Sequence, residues 1–585
     1  MNREVVIDKE NKRLIVSAPY GVRRYFDNKG VNLEWDKKDK CLYYPLKNIY
    51  LTNEAFIDAC NKLKIEISEE LSNSLIKIDY SKINKSKDEE INDLKELITS
   101  DLKLYPFQEE GIKQLVKQKH TLLADSPGLG KTIQALVYLN HLPSEKFPAL
   151  IICPGSLVYN WRDQALKWIK NISKEEINIL TAKEREVEKK SKVYIISYDM
   201  LPKYIKKEVK KDRTKKRNGN LNRKIKTPNI YLDTIPFKVV LIDEAHYMQN
   251  IRAKRTKAIY NKNIKDADHK ILITGTPIMN RPINIYSLLK FIAPKLFNNK
   301  DTYGKRYCGA RFNGFGTVYD GASNLQELHT KLSPFMIRRK KEDVLKELPD
   351  KVRSLILLDA SDKEEFNKIV QTTKQEIKTI YKENGEKITV KSRELMFQQI
   401  EDMRQKIFKF KKYHCYDFIM NKLEEVDKLI IFAYHREVVS HLSEYLTSQD
   451  IKNVTLTGGL SVEEKRAVQQ QFQNDKDTRV FIGSIRAANM GIDLYASSTV
   501  VFLELDWVPT NLEQAEDRAH RIGQKNNVDI FYLLLNDSVE VKMLKIVEKK
   551  LKIIEQVIEG KDEAEATEKI DNMYDELIME IIKEK

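Results

Sequence analysis

The chain has no apolar run approaching the length needed to span a bilayer, and its start, MNREVVIDKE, has no apolar core of the kind a signal peptide requires. Secretion and membrane insertion are not expected. Cysteine is scarce: five in 585 residues (Cys41, Cys60, Cys153, Cys308 and Cys415), with no C-x-x-C pair. That spacing argues against a zinc site and a disulfide framework and fits a reducing, cytoplasmic compartment. No segment repeats at a fixed period, so solenoids and propellers are unsupported. A last absence is local. Residues 122–132 read LLADSPGLGKT, which is the phosphate-loop pattern G-x-x-x-x-G-K-[ST] with Asp125 where the opening glycine belongs.

What is present points to a multidomain protein. At 41% hydrophobic content the chain is long enough for several cores. A formal net charge of +16 and a pI near 9.1 favour a polyanionic partner, although a lysine-rich surface also serves solubility. Two blocks alternate short β-rich apolar runs with helical patterns, as buried parallel strands in α/β folds do. The first supplies TLLAD, ALIICP, VYIISY, VVLIDEAH and ILITGTP; the second supplies KLIIFAYH, NVTLTGG, RVFIGSI, TVVFLELDW and VDIFYLLL. In such sheets ligands bind beyond the carboxyl ends of strands, where these runs turn polar. The expected organisation is a small α+β module at 1–67, a charged helical linker at 68–100, a first α/β lobe at 101–335 with a basic insertion at 203–226, a helical connecting region at 336–426, a second α/β lobe at 427–560 and a C-terminal helix at 561–585.

The loop follows a strand and opens a helix-like run, TIQALVYLNHL, which is the context a phosphate loop needs. Gly128 and Gly130 allow backbone N–H groups to approach phosphates, Lys131 can neutralise them, and the Thr132 hydroxyl can ligate Mg²⁺. VVLIDEAH ends a strand with Asp243 and Glu244, one suited to a Mg²⁺ shell and the next to orienting or deprotonating water. A helix-capping acidic pair is the plain alternative. LITGTP sets Thr274, Gly275 and Thr276 in the same position after a strand. QAEDRAHRIGQ predicts Arg518 and Arg521 on one helical face, able to point at a γ-phosphate. The plain alternative there is a helix salt-bridged through Glu513, Glu516 and Asp517.

In this order these segments resemble the Swi/Snf-like branch of the superfamily 2 helicases over essentially all of 101–535. The resemblance implies two RecA-like lobes with ATP and Mg²⁺ as cofactors. LYPFQEEGI is similar to the branch's adenine-reading segment, which assigns Gln108 to the base. GSIRAANMGIDL resembles a motif joining DNA contact to ATP, implying ATP contacts for Gly491 and Asp493 and a DNA contact for Arg486. ICPGSLVYNW resembles a DNA-contacting motif and gives Trp161 that role. By the same resemblance His246, Thr274, Thr276 and Gln514 couple nucleotide to motion. Asp125 is the branch's usual residue, whereas Ser126 and Pro127 replace a usual acidic residue and methionine, a change that bears on loop stiffness.

FMIRRKKEDVLKELPDK and IRAANMGIDL look closest to the annealing-helicase, HARP-containing subgroup. LEWDKKDKCLYYPLKNIYLTNEAFIDACNKL is similar to the end of one HARP module, with Trp35-Asp36, an aromatic strand and Phe56, but with Leu42 for the usual tryptophan. Read without the family it is a β-hairpin and an amphipathic helix. The expected function is an ATP-dependent translocase or remodeler on double-stranded DNA, acting on forked or branched DNA, in a bacterial or phage-infected cell. A strand-separating DNA or RNA helicase, the motor subunit of a restriction or defence complex, and an inactive DNA-binding scaffold stand as alternatives. Protein partners are not legible.

Overall fold

Runs such as Ala149–Cys153 (ALIIC) and Val239–Asp243 (VVLID) are apolar at nearly every position, so they are stable only where both faces are covered. The computed structural model places them inside a parallel sheet. It describes residues 3–46, 49–76, 84, 94–99, 102–181, 184, 186–205, 230–312, 316–345, 347–386, 388–488, 492–521, 523–560 and 573–583. Gly491 and positions 206–226 of the basic insertion lie outside these residues, as do most of 77–93 and all of 561–572. The chain divides into two units, the first made mainly of residues up to 278 with 284–306 and 327–339, the second mainly of 340–585.

The seven strands of the first unit's large sheet run, across the sheet, Met336–Ile337, His120–Leu123, His269–Ile273, Val239–Asp243, Ala149–Cys153, Val193–Ser197 and Ile177–Leu180, all parallel. All five strands expected from sequence are among them. The second unit's sheet is also parallel, in the order Lys351–Leu358, Val528–Leu535, Thr499–Phe502, Leu429–Ala433, Val480–Ser484 and Asn453–Leu456. The two sheets are the α/β lobes expected.

One expectation needs correction. The region 336–426 is not wholly helical, because Lys351–Leu358 is an eight-residue edge strand paired along its length with Val528–Leu535. Beyond it the helices Lys363–Glu383 and Val390–Glu425 pack on each other and on the C-terminal helix Met573–Lys583, which buries Leu577, Ile578 and Ile581. The long helix is fastened to its sheet by Lys411, which has 0% exposure. Its Nζ donates to both Glu540 carboxylate oxygens (2.7 and 2.7 Å) and to the carbonyls of Leu503 (2.6 Å) and Leu533 (2.9 Å).

The N-terminal module is α+β. Its five strands run Glu34–Asp36, Cys41–Pro45, Arg13–Ser17, Glu4–Asp8 and Glu66–Ile67, with Leu14, Phe26, Leu42, Tyr44 and Phe56 in the core. The helix Glu69–Ile76, which the sequence reading gave to the linker, adds Leu71 and Leu75 to that core. The module is docked within its unit: Asn32 Nδ2 donates to Thr302 Oγ1 (3.0 Å), and Lys305 Nζ donates to Asn32 Oδ1 (2.9 Å). Gly30 at φ 78° lies so close to Arg306 that an added Cβ would stand 3.3 Å from its Cβ.

Removing one partner of a buried ion pair leaves an uncompensated charge, which costs about 3–5 kcal/mol. Lys411→Met is therefore expected to destabilise the second sheet by that amount, read as faster hydrogen exchange in Val528–Leu535. Adding Glu540→Gln should recover more than half of the loss, and equal exchange in the single and double variants would contradict the assignment.

Candidate active site

Leu123, Ile273 and Asp243 are in register across three neighbouring strands. The segments that follow them therefore leave the sheet side by side: the loop 124–131, the turn Thr274–Thr276 and the turn that begins at Glu244. This register gathers three motifs spread along residues 124–276 of the chain.

The loop ends in the helix Lys131–His141, with Gly128 at φ 88° and Gly130 at φ 72°, conformations a side chain resists. Gly130 has a second reason. A Cβ there would meet Gln108 Nε2 at 2.3 Å. Gln108 is buried against the loop, its Nε2 donating to the Leu129 carbonyl (3.2 Å) and its Oε1 accepting from the Tyr105 N–H (3.0 Å). Lys131 Nζ folds back onto the carbonyls of Asp125 (2.7 Å) and Ser126 (3.1 Å). Burial draws its pKa down, against the opposing pull of Glu244 and Asp125. Thr132 stands half-buried in the first helical turn. Gly275 packs against the loop so closely that a Cβ would lie 2.9 Å from Pro127 Cγ and 3.3 Å from Lys131 Nζ.

Asp125 is not a neutral loop filler. It has 0% exposure, and its Oδ1 accepts from the Arg339 backbone N–H (3.0 Å) and Nε (3.0 Å), while Oδ2 accepts from Arg339 Nη2 (2.5 Å) and Gln134 Nε2 (3.0 Å). Arg339 also donates to Gln134 Oε1 (2.7 Å) and to the Phe107 carbonyl. Neither Arg339 nor Arg338, whose Nη1 donates to the Ala124 carbonyl (2.7 Å), was singled out from sequence as a site residue. The signal was there in two halves: an acidic residue in a loop that needs a counter-charge, and an Arg-Arg pair directly after the apolar FMI.

Asp243 is buried at its strand end. Its Oδ2 accepts from Trp161 Nε1 (2.7 Å) and its Oδ1 from the Glu244 N–H (2.9 Å). Burial and the adjacent Glu244 carboxylate push its pKa up to about 7, against the lowering effect of the Trp161 bond. Trp161 was expected to touch DNA. That role is corrected: the ring is 2% exposed and its N–H is spent on Asp243, so it orients a carboxylate. Glu244 sits at φ 47°, a left-handed conformation that costs an ordinary residue energy. His246 Nδ1 lies 3.2 Å from Glu244 Oε2 and 3.1 Å from Thr274 Oγ1, and Thr274 Oγ1 accepts from the Thr276 N–H (3.2 Å). The expected coupling residues of the first lobe thus form one chain from Glu244 to the turn after the next strand. Tyr198, which the sequence reading passed over, donates its hydroxyl to the Asp243 carbonyl (2.7 Å) and so secures the same turn.

In the second unit the expected helical face is absent, because the helix Pro509–Glu516 ends before either arginine. Arg518 and Arg521 lie on the turn that follows. They converge all the same: Nη1 of each donates to the Ile492 carbonyl (3.2 Å in both cases), Arg518 Nε donates to the Gln514 carbonyl (3.0 Å), and Arg521 pairs with Asp493. The acidic residues of the same motif do structural work. Glu516 accepts from Lys351 (2.9 Å), Arg353 (2.7 and 2.6 Å) and Tyr532 (2.7 Å), and Asp517 pairs with Lys341 (3.0 Å). Arg486 is exposed, its Nη2 donating to the Tyr434 hydroxyl (2.8 Å) and its guanidinium 4.9 Å from that ring's centroid.

Among the described residues no group of three or more His, Cys, Asp and Glu side chains has metal-holding geometry. Oxygens such as the Thr132 hydroxyl and the Asp243 carboxylate are of the kind a hard cation takes, and burial with the adjacent Glu244 raises the pKa of Asp243. No helix among these residues is long and apolar enough to cross a membrane.

The family model described as the SNF2-related domain matches residues 107–409, and that of the helicase conserved C-terminal domain matches 405–523. The human DNA annealing helicase and endonuclease ZRANB3 is 35% identical over 473 residues, which cover 79% of this chain and 41% of that protein. The Xenopus tropicalis SWI/SNF-related matrix-associated actin-dependent regulator of chromatin subfamily A-like protein 1 is 32% identical over 481 residues, 80% of this chain and 47% of that one. The chain therefore spans less than half the length of these relatives. Among solved structures, the Sulfolobus solfataricus SWI2/SNF2 ATPase core in complex with dsDNA is 21% identical, covers 80% of this chain and 96% of that one, and superposes with a TM-score of 0.37. With the first of these models matching more than half of its length, the chain belongs to the SNF2-related family.

Proposed function

We propose that the chain is a DNA-dependent ATPase that translocates along or remodels double-stranded DNA, with Mg²⁺-ATP as its fuel and forked or branched duplex as its preferred substrate. The observation that carries the reading is the three-strand register that brings Lys131, Thr274 and the Asp243-Glu244 pair to one edge of the first sheet. Family membership, the exposed Arg486, the net charge of +16 and the similarity to a DNA annealing helicase support DNA as the polyanion. The bacterial or phage setting belongs to the same proposal.

Each side chain has a task that its geometry suits. Lys131 exchanges two neutral carbonyls for phosphate oxygens, a gain in charge complementarity. Thr132 and Asp243 hold Mg²⁺, which when bound neutralises phosphate charge. Glu244, steadied by His246, orients or deprotonates the attacking water. Gln108 stands beside the loop for the base, and Thr274 and Thr276 pass the state of Glu244 to the neighbouring turn. Arg518 and Arg521 stabilise charge on the transferring phosphoryl group, with Gln514 and Asp493 beside them; Gly491, outside the described residues, is assigned to ATP by the family resemblance alone.

Hydrolysis should be stimulated by duplex DNA, more by forked DNA at one fixed salt concentration and little by RNA, with triplex displacement but no strand separation. Lys131→Ala and Glu244→Gln should abolish hydrolysis and spare DNA binding; full activity in Glu244→Gln would refute the site. Arg518→Ala or Arg521→Ala should lower kcat by about 10³-fold or more with nucleotide affinity little changed, as for arginines that act on the transition state. A fall in affinity as steep as that in turnover would remove them from this role. The carboxylate of Asp243 holds the cation only when ionised, and burial with the adjacent Glu244 raises its pKa, so Mg²⁺-nucleotide affinity should weaken as pH falls, with a midpoint above the ordinary carboxylate range. Trp161→Phe deletes the bond that lowers this pKa and should move the midpoint to higher pH; an unmoved midpoint would contradict the account.

A further inference from the structure

The Asp243-Glu244 turn is held from two strands away. Tyr198 follows the strand Val193–Ser197, and across the intervening Ala149–Cys153 its hydroxyl reaches the Asp243 carbonyl (2.7 Å) and the Glu244 carbonyl (3.2 Å). Its own N–H donates to the Cys153 carbonyl (3.1 Å), and the residue is 2% exposed. Burial, with Asp243 and Glu244 adding to it, pushes its pKa up, so the hydroxyl keeps the proton it donates. The Glu244 carbonyl also accepts from the Tyr247 N–H (2.9 Å). The two tyrosine rings are stacked, 5.3 Å between centroids and 22° between planes, and the Tyr247 ring lies 4.9 Å from that of His246. Arg255 fixes Tyr247 in turn, its guanidinium 5.1 Å from the ring centroid and its Nε donating to the Tyr247 carbonyl (3.0 Å).

We propose that Tyr198 and Tyr247 are positioning residues for the Glu244 carboxylate: the Tyr198 hydroxyl and the Tyr247 N–H pin the Glu244 carbonyl, and the stacked rings keep both donors in place. The inference rests on the ATPase reading above, in which Glu244 acts on the attacking water. The physical case starts from the backbone. At φ 47° Glu244 is in a conformation that a residue other than glycine keeps only where its surroundings over-determine it. Two donors on one carbonyl supply that constraint, and the carboxylate is thereby held 3.2 Å from His246 Nδ1. A phenylalanine at 198 would fill the same space, so what the hydroxyl adds is its hold on the two carbonyls. Release of the carbonyl lets the turn relax, and a catalytic group that drifts from its working position loses rate without loss of substrate binding.

The test uses the full chain with duplex DNA and Mg²⁺-ATP at one fixed salt concentration, and compares wild type with Tyr198→Phe, Tyr247→Leu, Tyr247→Phe and the double variant Tyr198→Phe/Tyr247→Leu. The readouts are kcat, KM for ATP, DNA affinity and Tm. Tyr198→Phe deletes the hydroxyl and keeps the ring, so kcat should fall at least about tenfold while KM and DNA affinity stay within about threefold and Tm within a few degrees. Tyr247→Leu removes the stack and should act in the same way, whereas Tyr247→Phe restores a ring and should return most of the turnover. Because both residues act through one carbonyl, the losses in the double variant should not multiply. Wild-type kcat in Tyr198→Phe, a KM that rises in step with the fall in kcat, or losses that multiply would overturn the assignment. If Tyr198→Phe does not fold, the Tyr247 pair carries the test, and equal kcat in Tyr247→Leu and Tyr247→Phe overturns it. A wild type that hydrolyses no ATP with any nucleic acid fells the ATPase reading and this assignment with it; an active wild type with unaffected variants overturns the assignment alone.

Discussion

The bond between Asp125 and Arg339 is the constraint on which the rest of the site depends. An ionised carboxylate with no exposure is stable only if its lone pairs are taken up, because the desolvation cost of each buried ion is several kcal/mol. Asp125 has four donors, three of them from Arg339. Satisfying them fixes the first half of the phosphate loop before any nucleotide arrives. What remains free is the second half, where Gly128 and Gly130 take positive φ and where Lys131 can swing. The loop is thus rigid where it joins the sheet and permissive where phosphate must enter, and Pro127 against Gly275 stiffens the boundary between those halves.

The glycine missing from the loop pattern is explained by the same bond. A glycine at 125 permits close approach to phosphate, whereas this chain uses the position to anchor the loop from behind. The approach is left to Gly128 and Gly130, and the anchoring group belongs to a segment over two hundred residues away in sequence.

Most strands legible in sequence are buried at nearly every position, because burial forces a continuous apolar run; Asn453–Leu456 was legible although it is an alternating edge strand, and the fully buried Ile177–Leu180 was passed over. Lys351–Leu358 escaped because it is a sheet edge. One face meets solvent, charged residues occupy its start, and Val352, Leu355 and Leu357 remain exposed, so its pattern is neither a run nor a clean alternation. The chemical groups of the site were legible for a related reason: a Gly-Lys-Thr, an Asp-Glu after a strand and paired arginines have few other uses in that setting. Their geometry was less so. Spacing of three put Arg518 and Arg521 on a helix face, but the helix stops at Glu516, and only the shared Ile492 carbonyl brings them together. Trp161 was misread because an aromatic residue in a DNA-contacting motif looks the same in sequence whether its ring is out or in; its burial and its bond to Asp243 exist only in three dimensions.

The second unit divides its charges by how readily they can be redirected. Glu516 and Asp517 sit in the same short motif as Arg518 and Arg521, yet the carboxylates are committed to Lys341, Lys351 and Arg353, pairs whose breakage would strand a buried charge. Arg518 donates to the Gln514 and Ile492 carbonyls among its contacts, and Arg521 donates to the Ile492 carbonyl and pairs with the part-exposed Asp493. A hydrogen bond that involves a charged group such as guanidinium contributes about 1.5–3 kcal/mol, enough to orient both arginines. A phosphate oxygen offers a stronger, charge-assisted partner. The arrangement therefore divides two tasks within six residues: the acids keep the turn in place against the edge strand and Lys341, and the arginines on that turn are brought together at the Ile492 carbonyl.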